Sequence, residues 1–246
     1  MARQPKLILR ESAVDDVVAD WPTGSFLETG AGTGYMTRKF LDKGYRGACY
    51  ELSEEAREKI RANLADYTDR LDVLDSLDEL DEREFDYLLT FEVLEHIEDD
   101  AAALQAWTRH LKPNGRLLLS VPAHQNKYSL TDEMVGHVRR YERKELEALL
   151  ESAGYADIEI INYGFPVSEI SRPLANMITR KEASADTAEA SPVELSKKSS
   201  YERKASAHRF IEFVGEKPVL PFKAVQRLFY NRDWGDGIIA TARKRP

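Results

Sequence analysis

Cysteine is nearly missing from this chain: Cys49 is the single one. An internal disulfide and any Cys-rich metal cluster are thereby excluded. Its place in a predicted apolar strand reads as a small core residue rather than a nucleophile. Histidine is sparse too, five residues scattered without metal-ligand spacing, so no metal is expected. No apolar run approaches membrane-spanning length, and the N-terminal stretch has no apolar region of the signal-peptide kind; a cytoplasmic protein is the expectation. Positive charge is in deficit, 35 Lys and Arg against 43 Asp and Glu, for a net charge of −8. A broad nucleic-acid-binding face is therefore disfavoured. Internal repeats are absent.

What the chain does have is enough apolar material, 42% of 246 residues, for one α/β domain with an appended cap. The stretch that organises it is Glu28-Thr29-Gly30-Ala31-Gly32-Thr33-Gly34. A short apolar strand from Ser25 leads into it and a helix-like segment, Tyr35 to Lys43, leads out. A strand, a glycine turn and a helix N-terminus together allow a ligand to approach the backbone closely. Gly47 to Tyr50 predicts a second strand ending at Glu51, where a carboxylate can take two ribose hydroxyls. The glycine spacing is G-x-G-x-G, not the G-x-G-x-x-G of dinucleotide sites. Further on, Ser53 caps a helix, Leu71 to Leu74 and Phe85 to Thr90 read as strands three and four, and Asp99 to His110 as a helix. Leu111 to Gly115 reads as a stop and turn before a fifth strand, Arg116 to Val121. A helix over Glu142 to Ala153, a sixth strand over Ala156 to Tyr163 and a last strand over Trp234 to Arg243 complete the series. This alternation predicts an α/β fold with a mainly parallel sheet and helices on both faces.

The Glu-x-Gly-x-Gly-x-Gly turn, the acidic residue closing strand two, and the stretches Leu71 to Leu80, Phe85 to Asp99 and Leu111 to His124 resemble the class I S-adenosylmethionine-dependent methyltransferases, over residues 22 to 163. The resemblance implies a Rossmann-like, seven-stranded sheet over residues 1–163 plus 234–246, the last strand antiparallel at the sheet edge, with a helical cap inserted between strands six and seven, 164–233. It implies S-adenosylmethionine as cofactor, lying over Gly30, Ala31, Gly32 and Gly34. Glu28 would meet the methionine side or orient the turn's own N–H groups, and Glu51 the ribose. Leu52, Asp75, Ser76, Phe91, Glu92 and Val93 would surround the rest, Asp75 accepting from the adenine amino group or capping its own turn.

An acceptor that loses a proton calls for a base, and His96, His124 and His137 are the candidates. The segment Asp132 to Leu146 resembles a pattern in methyltransferases of small molecules and lipid-linked intermediates. Its Arg139 and Arg140 can grip an acceptor carboxylate or phosphate, or one of them can bind an acid such as Asp132. Tyr141 is assigned to the acceptor or to stapling the following helix. Within the insertion, Pro166 to Thr179, Tyr201 to Phe213 and Leu220 to Tyr230 predict helices, and 181–200 a mobile linker. The insertion reads as a lid or as a homodimer arm. The expected activity is methylation of a small anionic O or N acceptor. Left open are a lipid-linked acceptor met at a membrane surface through Phe210, Phe213, Val219, Leu220, Phe222 and Phe229, a tRNA acceptor, and a nucleotide-binding protein without catalysis. Phe91-Glu92-Val93-Leu94 is not the Asn/Asp-Pro-Pro-aromatic loop of exocyclic base amino methylation.

Overall fold

The computed structural model describes residues 5–183 and 217–246. Helix α1 (Pro5–Val17) comes first, then β1 (Ser25–Thr29), α2 (Tyr35–Asp42), β2 (Arg46–Tyr50), α3 (Glu54–Asn63), β3 (Leu71–Leu74), β4 (Phe85–Phe91), α4 (Asp100–Thr108) and β5 (Leu111–Pro122). They are followed by α5 (Leu130–Val135), α6 (Arg143–Ser152), β6 (Tyr155–Tyr163), α7 (Val167–Ala183), α8 (Phe222–Arg227) and β7 (Gly237–Lys244). The seven strands form one sheet in the order β3-β2-β1-β4-β5-β7-β6.

β1 pairs in parallel with β2 on one side and β4 on the other, and β5 extends the parallel run beside β4. Strands covered on both faces need no polar alternation, and β4 accordingly keeps Tyr87, Leu88, Leu89, Thr90 and Phe91 all buried. The last strand is not at the edge, as the sequence reading has it: β7 lies between β5 and β6, and β6 is the edge strand. Asp236 N–H donates to the Tyr163 carbonyl (3.2 Å) and Arg245 N–H to the Gly154 carbonyl (2.9 Å), so β7 runs opposite to β6.

Two local departures from the sequence reading have clear causes. Leu111 to Gly115, expected as a turn, is counted into β5. The pairing jumps from Phe85 beside Leu111 to Tyr87 beside Arg116, and the bulge takes up the intervening residues, with Asn114 at φ 61. Helix α5 was not anticipated. A reciprocal cap between Ser129 and Asp132 starts it and Gly136, at φ 84, stops it.

The chain divides into two compact units. The first comprises Pro22–Val121, Lys144–Glu159 and Ala240–Pro246. Its core holds Phe26, Phe40, Tyr45 and Phe91, with the Phe40 ring 5.3 Å from Tyr45 and 6.4 Å from Phe91. The second comprises the described parts of Met1–Trp21, Pro122–Arg143 and Ile160–Ile239. Here Ile8 and Leu9 of α1 pack with Val219, and Val167 and Phe222 close over them. The Gln226 amide, itself buried, donates to the Leu9 carbonyl (3.0 Å) and accepts from Gly164 N–H (3.2 Å). Arg227 and Tyr230 both bind the Asp16 carboxylate, at 2.7 and 2.8 Å. Of the apolar residues read as a membrane-facing lid, Val219 and Phe222 therefore face a core, whereas Leu220 is 46% exposed. Phe210 and Phe213, the helix expected over Tyr201 to Phe213 and most of the 181–200 segment lie outside the described residues. None of the described helices is long and apolar enough to cross a membrane.

Candidate functional site

In an open parallel sheet a ligand lies beyond the carboxyl ends of the strands where the order reverses, which in this sheet is between β1 and β4. The glycine turn leaves β1 at that place. Gly30, Gly32 and Gly34 all take positive φ, 71, 59 and 80. Gly30 has no room for a side chain: a Cβ there would lie 2.3 Å from Val93 Cγ2. At Gly32 a Cβ would meet nothing within 4 Å, so this stretch of turn has an open face. The turn is anchored from β2. Gly30 and Ala31 N–H donate to the Tyr50 carbonyl (2.8 and 3.1 Å), and Gly32 N–H donates to Glu51 Oε2 (2.8 Å).

Glu51 is buried and also accepts from Ser53 N–H at 3.2 Å. Its carboxylate thus joins the glycine turn to the start of α3. Glu28, equally buried, accepts the Thr37 hydroxyl of α2 (2.6 Å). Arg57 of α3 extends the frame, donating to the carbonyls of Glu51 (2.8 Å) and Leu52 (3.1 Å) and to Asp75 (3.1 Å). Asp75 is exposed and also meets Arg61 at 2.7 Å; the Arg61 bond, ahead of Arg57, holds its carboxyl below the usual range. The N–H groups of Asp75 and Ser76 donate to Glu79 Oε1 (2.7 and 2.8 Å), and Ser76 caps the following turn. Leu52 is an exposed apolar side chain, at 49%. Beyond β4, Glu92 stands at φ 57, a backbone state rare for a residue with a side chain. It is fixed by Ser120, whose carbonyl accepts Glu92 N–H (2.8 Å) and whose hydroxyl donates to Glu92 Oε1 (3.1 Å). Phe91 is buried, and half-buried His96 ends the short turn that follows Val93.

The other unit contains a knot of charge. Asp132 is 2% exposed, and its Oδ1 accepts from His137 Nδ1 and Arg140 Nε, each at 2.9 Å. Oδ2 accepts Ser129 N–H (2.9 Å). Burial alone would raise this carboxyl; His137 and Arg140 outweigh it and bring it down to about 2. Arg140 Nη1 reaches the Ala123 carbonyl (3.2 Å) and Asp236 (3.0 Å). Its guanidinium is 7% exposed. Arg139 beside it is half-buried, and Tyr141 is buried with its N–H on the Pro122 carbonyl (2.9 Å). His124, at φ 66, has Nδ1 3.4 Å from Glu142 and Nε2 3.9 Å from Asp233. In the same unit lies a cavity of about 400 Å³ lined by His124, Asn126, Lys127, Phe165, Glu169, Asp233, Trp234 and Gly235.

The methyltransferase-domain family matches residues 6–160, more than half of the sequence. The chain belongs to that family. No curated protein matches the sequence. Among solved structures, the chain is similar to phosphoethanolamine N-methyltransferase 2 of Haemonchus contortus, in complex with S-adenosyl-L-methionine, at TM-score 0.58 and 18% identity over 96% of this chain and 53% of that one. The chain thus spans about half the length of that enzyme, and of the same enzyme with phosphomonomethylethanolamine and S-adenosylhomocysteine. It is similar to 1,6-didemethyltoxoflavin-N1-methyltransferase of Burkholderia thailandensis at TM-score 0.55 and 19% identity, covering 96% and 77% of the two chains. The YcgJ protein of Bacillus subtilis follows at 0.60 and 14%, covering 96% and 99%.

Within one unit of the methyltransferase, the structure brings together Gly30, Ala31, Gly32, Gly34, Glu51, Leu52 and Val93. It ties Glu28 to α2, and Asp75 and Ser76 to Arg57 and Glu79. Arg57 and Arg61 escaped the sequence reading, although their i, i+4 spacing puts both on one face of α3. Asp236 and Lys127 left no local signal, because they find their partners through long-range contacts, as do Glu169 with Lys127 and Trp234 with Phe165.

Proposed function

We propose that this methyltransferase takes its methyl group from S-adenosylmethionine and passes it to a small-molecule acceptor with an anionic group. The observation that carries the reading is the Gly30–Gly34 turn, left-handed at all three glycines, with its open position at Gly32 held by the Glu51 carboxylate. That turn fits the cofactor in shape and in chemistry. A Cβ at Gly32 would fill the face the cofactor needs. Glu51 binds Gly32 and Ser53 N–H, and a carboxylate at the end of β2 is the acceptor type that ribose hydroxyls need. Leu52 and Val93 give apolar cover for an aromatic base, with Asp75 and Ser76 as its polar neighbours. When bound, the cofactor's sulfonium supplies an activated methyl carbon.

The chain's own residues do the rest. Positioning dominates in-line displacement, and the turn's anchors on Tyr50 and Glu51 keep it rigid before any ligand arrives. Among the three histidines proposed as base, His137 has a carboxylate orienter, Asp132, in the arrangement general bases use. Arg140 is held by Asp132 and Asp236, and we assign the acceptor's anion to the segment Arg139-Arg140-Tyr141 that this ion pairing fixes in place. The phosphoethanolamine enzyme and the toxoflavin N1-methyltransferase support a small-molecule acceptor by their named substrates, and of the two phosphoethanolamine carries an anionic phosphate.

Calorimetric titration of S-adenosylhomocysteine into wild type and Glu51→Ala tests the reading. Micromolar binding that weakens at least about tenfold in the variant, the loss of roughly one or two charge-assisted hydrogen bonds, is expected. No binding to wild type refutes it.

A further inference from the structure

The cavity of about 400 Å³ is walled by aromatic rings and carboxylates. Phe165, Phe229 and Trp234 form a three-ring cluster, with centroids 4.7 Å apart for Phe165 and Phe229, 5.2 Å for Phe165 and Trp234, and 5.8 Å for Phe229 and Trp234. Phe165 and Trp234 line the cavity, and Trp234 is 51% exposed, a large aromatic surface left in contact with solvent. Two carboxylates, Glu169 and Asp233, line it as well, against one ammonium, Lys127.

That ammonium is already engaged. Lys127 Nζ lies 2.6 Å from Glu169 Oε1 and donates also to the Gly235 carbonyl. The pair neutralises itself: Glu169, which burial alone would raise, is lowered by Lys127 and by Arg172. Asp233 is different. Its side-chain partners among the described residues are the neutral amide of Asn162 (3.3 Å) and the His124 ring (3.9 Å). With Lys127 and Glu169 cancelling, the lining carries one net negative charge beside the exposed Trp234 and the half-buried Phe165. Aromatic faces and a carboxylate attract the same ligand, a weakly hydrated organic cation.

We propose that this cavity binds an organic ammonium group, the cationic end of the methyl acceptor. The identification of the ligand as the acceptor rests on the methyltransferase reading; the binding itself does not.

The test is calorimetry on the full chain with two probes of nearly equal shape, choline and the uncharged 3,3-dimethyl-1-butanol, and with tetramethylammonium as a cation lacking the hydroxyl. Wild type is expected to bind both cations, and the neutral probe at least about tenfold more weakly, as a desolvated cation–aromatic contact requires. Asp233→Asn and Trp234→Leu should each weaken choline by about tenfold or more, while S-adenosylhomocysteine affinity in both stays at the wild-type value and certifies that they are folded. Equal binding of choline and its neutral isostere overturns the proposal, as does undiminished choline binding in Trp234→Leu, or no binding of either cation to wild type. Choline binding without S-adenosylhomocysteine binding leaves the ammonium site standing and removes the methyltransferase reading; the reverse result removes the ammonium site alone.

Discussion

Replacing Asp132 by Asn should lower stability at neutral pH by an amount that disappears in acid. Asp132 is buried, and its carboxyl sits at about 2 against an ordinary 3.8. A displacement of that size is worth about 2 kcal/mol in favour of the folded state when the group is ionised. The direction follows from the depressed folded value. The contribution is complete above the unfolded value near 4, falls to about half by pH 3, and is gone once pH drops below about 2. An Asn at this position also turns an NH₂ group toward either the donors on Oδ1, His137 Nδ1 and Arg140 Nε, or Ser129 N–H on Oδ2. The neutral-pH loss should therefore reach roughly 2–4 kcal/mol, near the range for breaking a buried ion pair. Urea unfolding followed by tryptophan fluorescence at pH 7, 5, 4 and 3 measures the gap between wild type and variant. Asp86, also brought down to about 2 by Lys112 and Ser25 against its burial, titrates in both proteins and cancels. A gap under ~0.5 kcal/mol at pH 7, or one that stays constant down to pH 3, refutes the reasoning.

Two glycines of one turn should respond differently to the same substitution. Gly30→Ala drives a Cβ to 2.3 Å from Val93 Cγ2 at φ 71 and should cost stability, roughly 2–4 kcal/mol, as well as cofactor binding. Gly32→Ala meets no neighbour, so the cost should be only about 1–2 kcal/mol of backbone strain, yet S-adenosylhomocysteine affinity should fall at least about tenfold; urea unfolding paired with calorimetry separates the two effects. Cys49 is fully buried, and burial, with Glu28 adding to it, pushes its thiol far above the ordinary range. Iodoacetamide at pH 8 should leave it unmodified in the native protein and label it once the chain is unfolded in urea; mass spectrometry reads the difference, and native labelling at the unfolded rate contradicts the burial.

The periodic parts of the fold were legible because their causes are local. β3 matches the expected Leu71 to Leu74, and Ser53 caps α3 as read, accepting Ala56 N–H at 3.4 Å. The glycine turn was legible for the same reason, since positive φ at Gly30, Gly32 and Gly34 is a demand on the backbone that the residue type announces. α5 was missed although its cap was visible, because a six-residue helix carries too little periodicity to register. The charge knot was half visible. Asp132, His137 and Arg140 lie within one short segment, whereas Asp236, which takes the other side of Arg140, comes from the far end of the chain. The aromatic cluster was invisible for the same reason: Phe165 and Trp234 are brought together by tertiary structure alone.

Gln226 has a consequence for the order in which the chain can assemble. One neutral amide is shared by a carbonyl at position 9, an N–H at position 164 and its own helix near the C-terminus. During synthesis, Ile8 and Leu9 emerge more than two hundred residues before their latch does. The apolar face of α1 is thus covered late, while the parallel strands β1 to β5 complete their pairing in between. Such long-range closure is slow and leaves apolar surface uncovered in the meantime. The N-terminal helix is therefore the segment that a chaperone would have the longest time to meet.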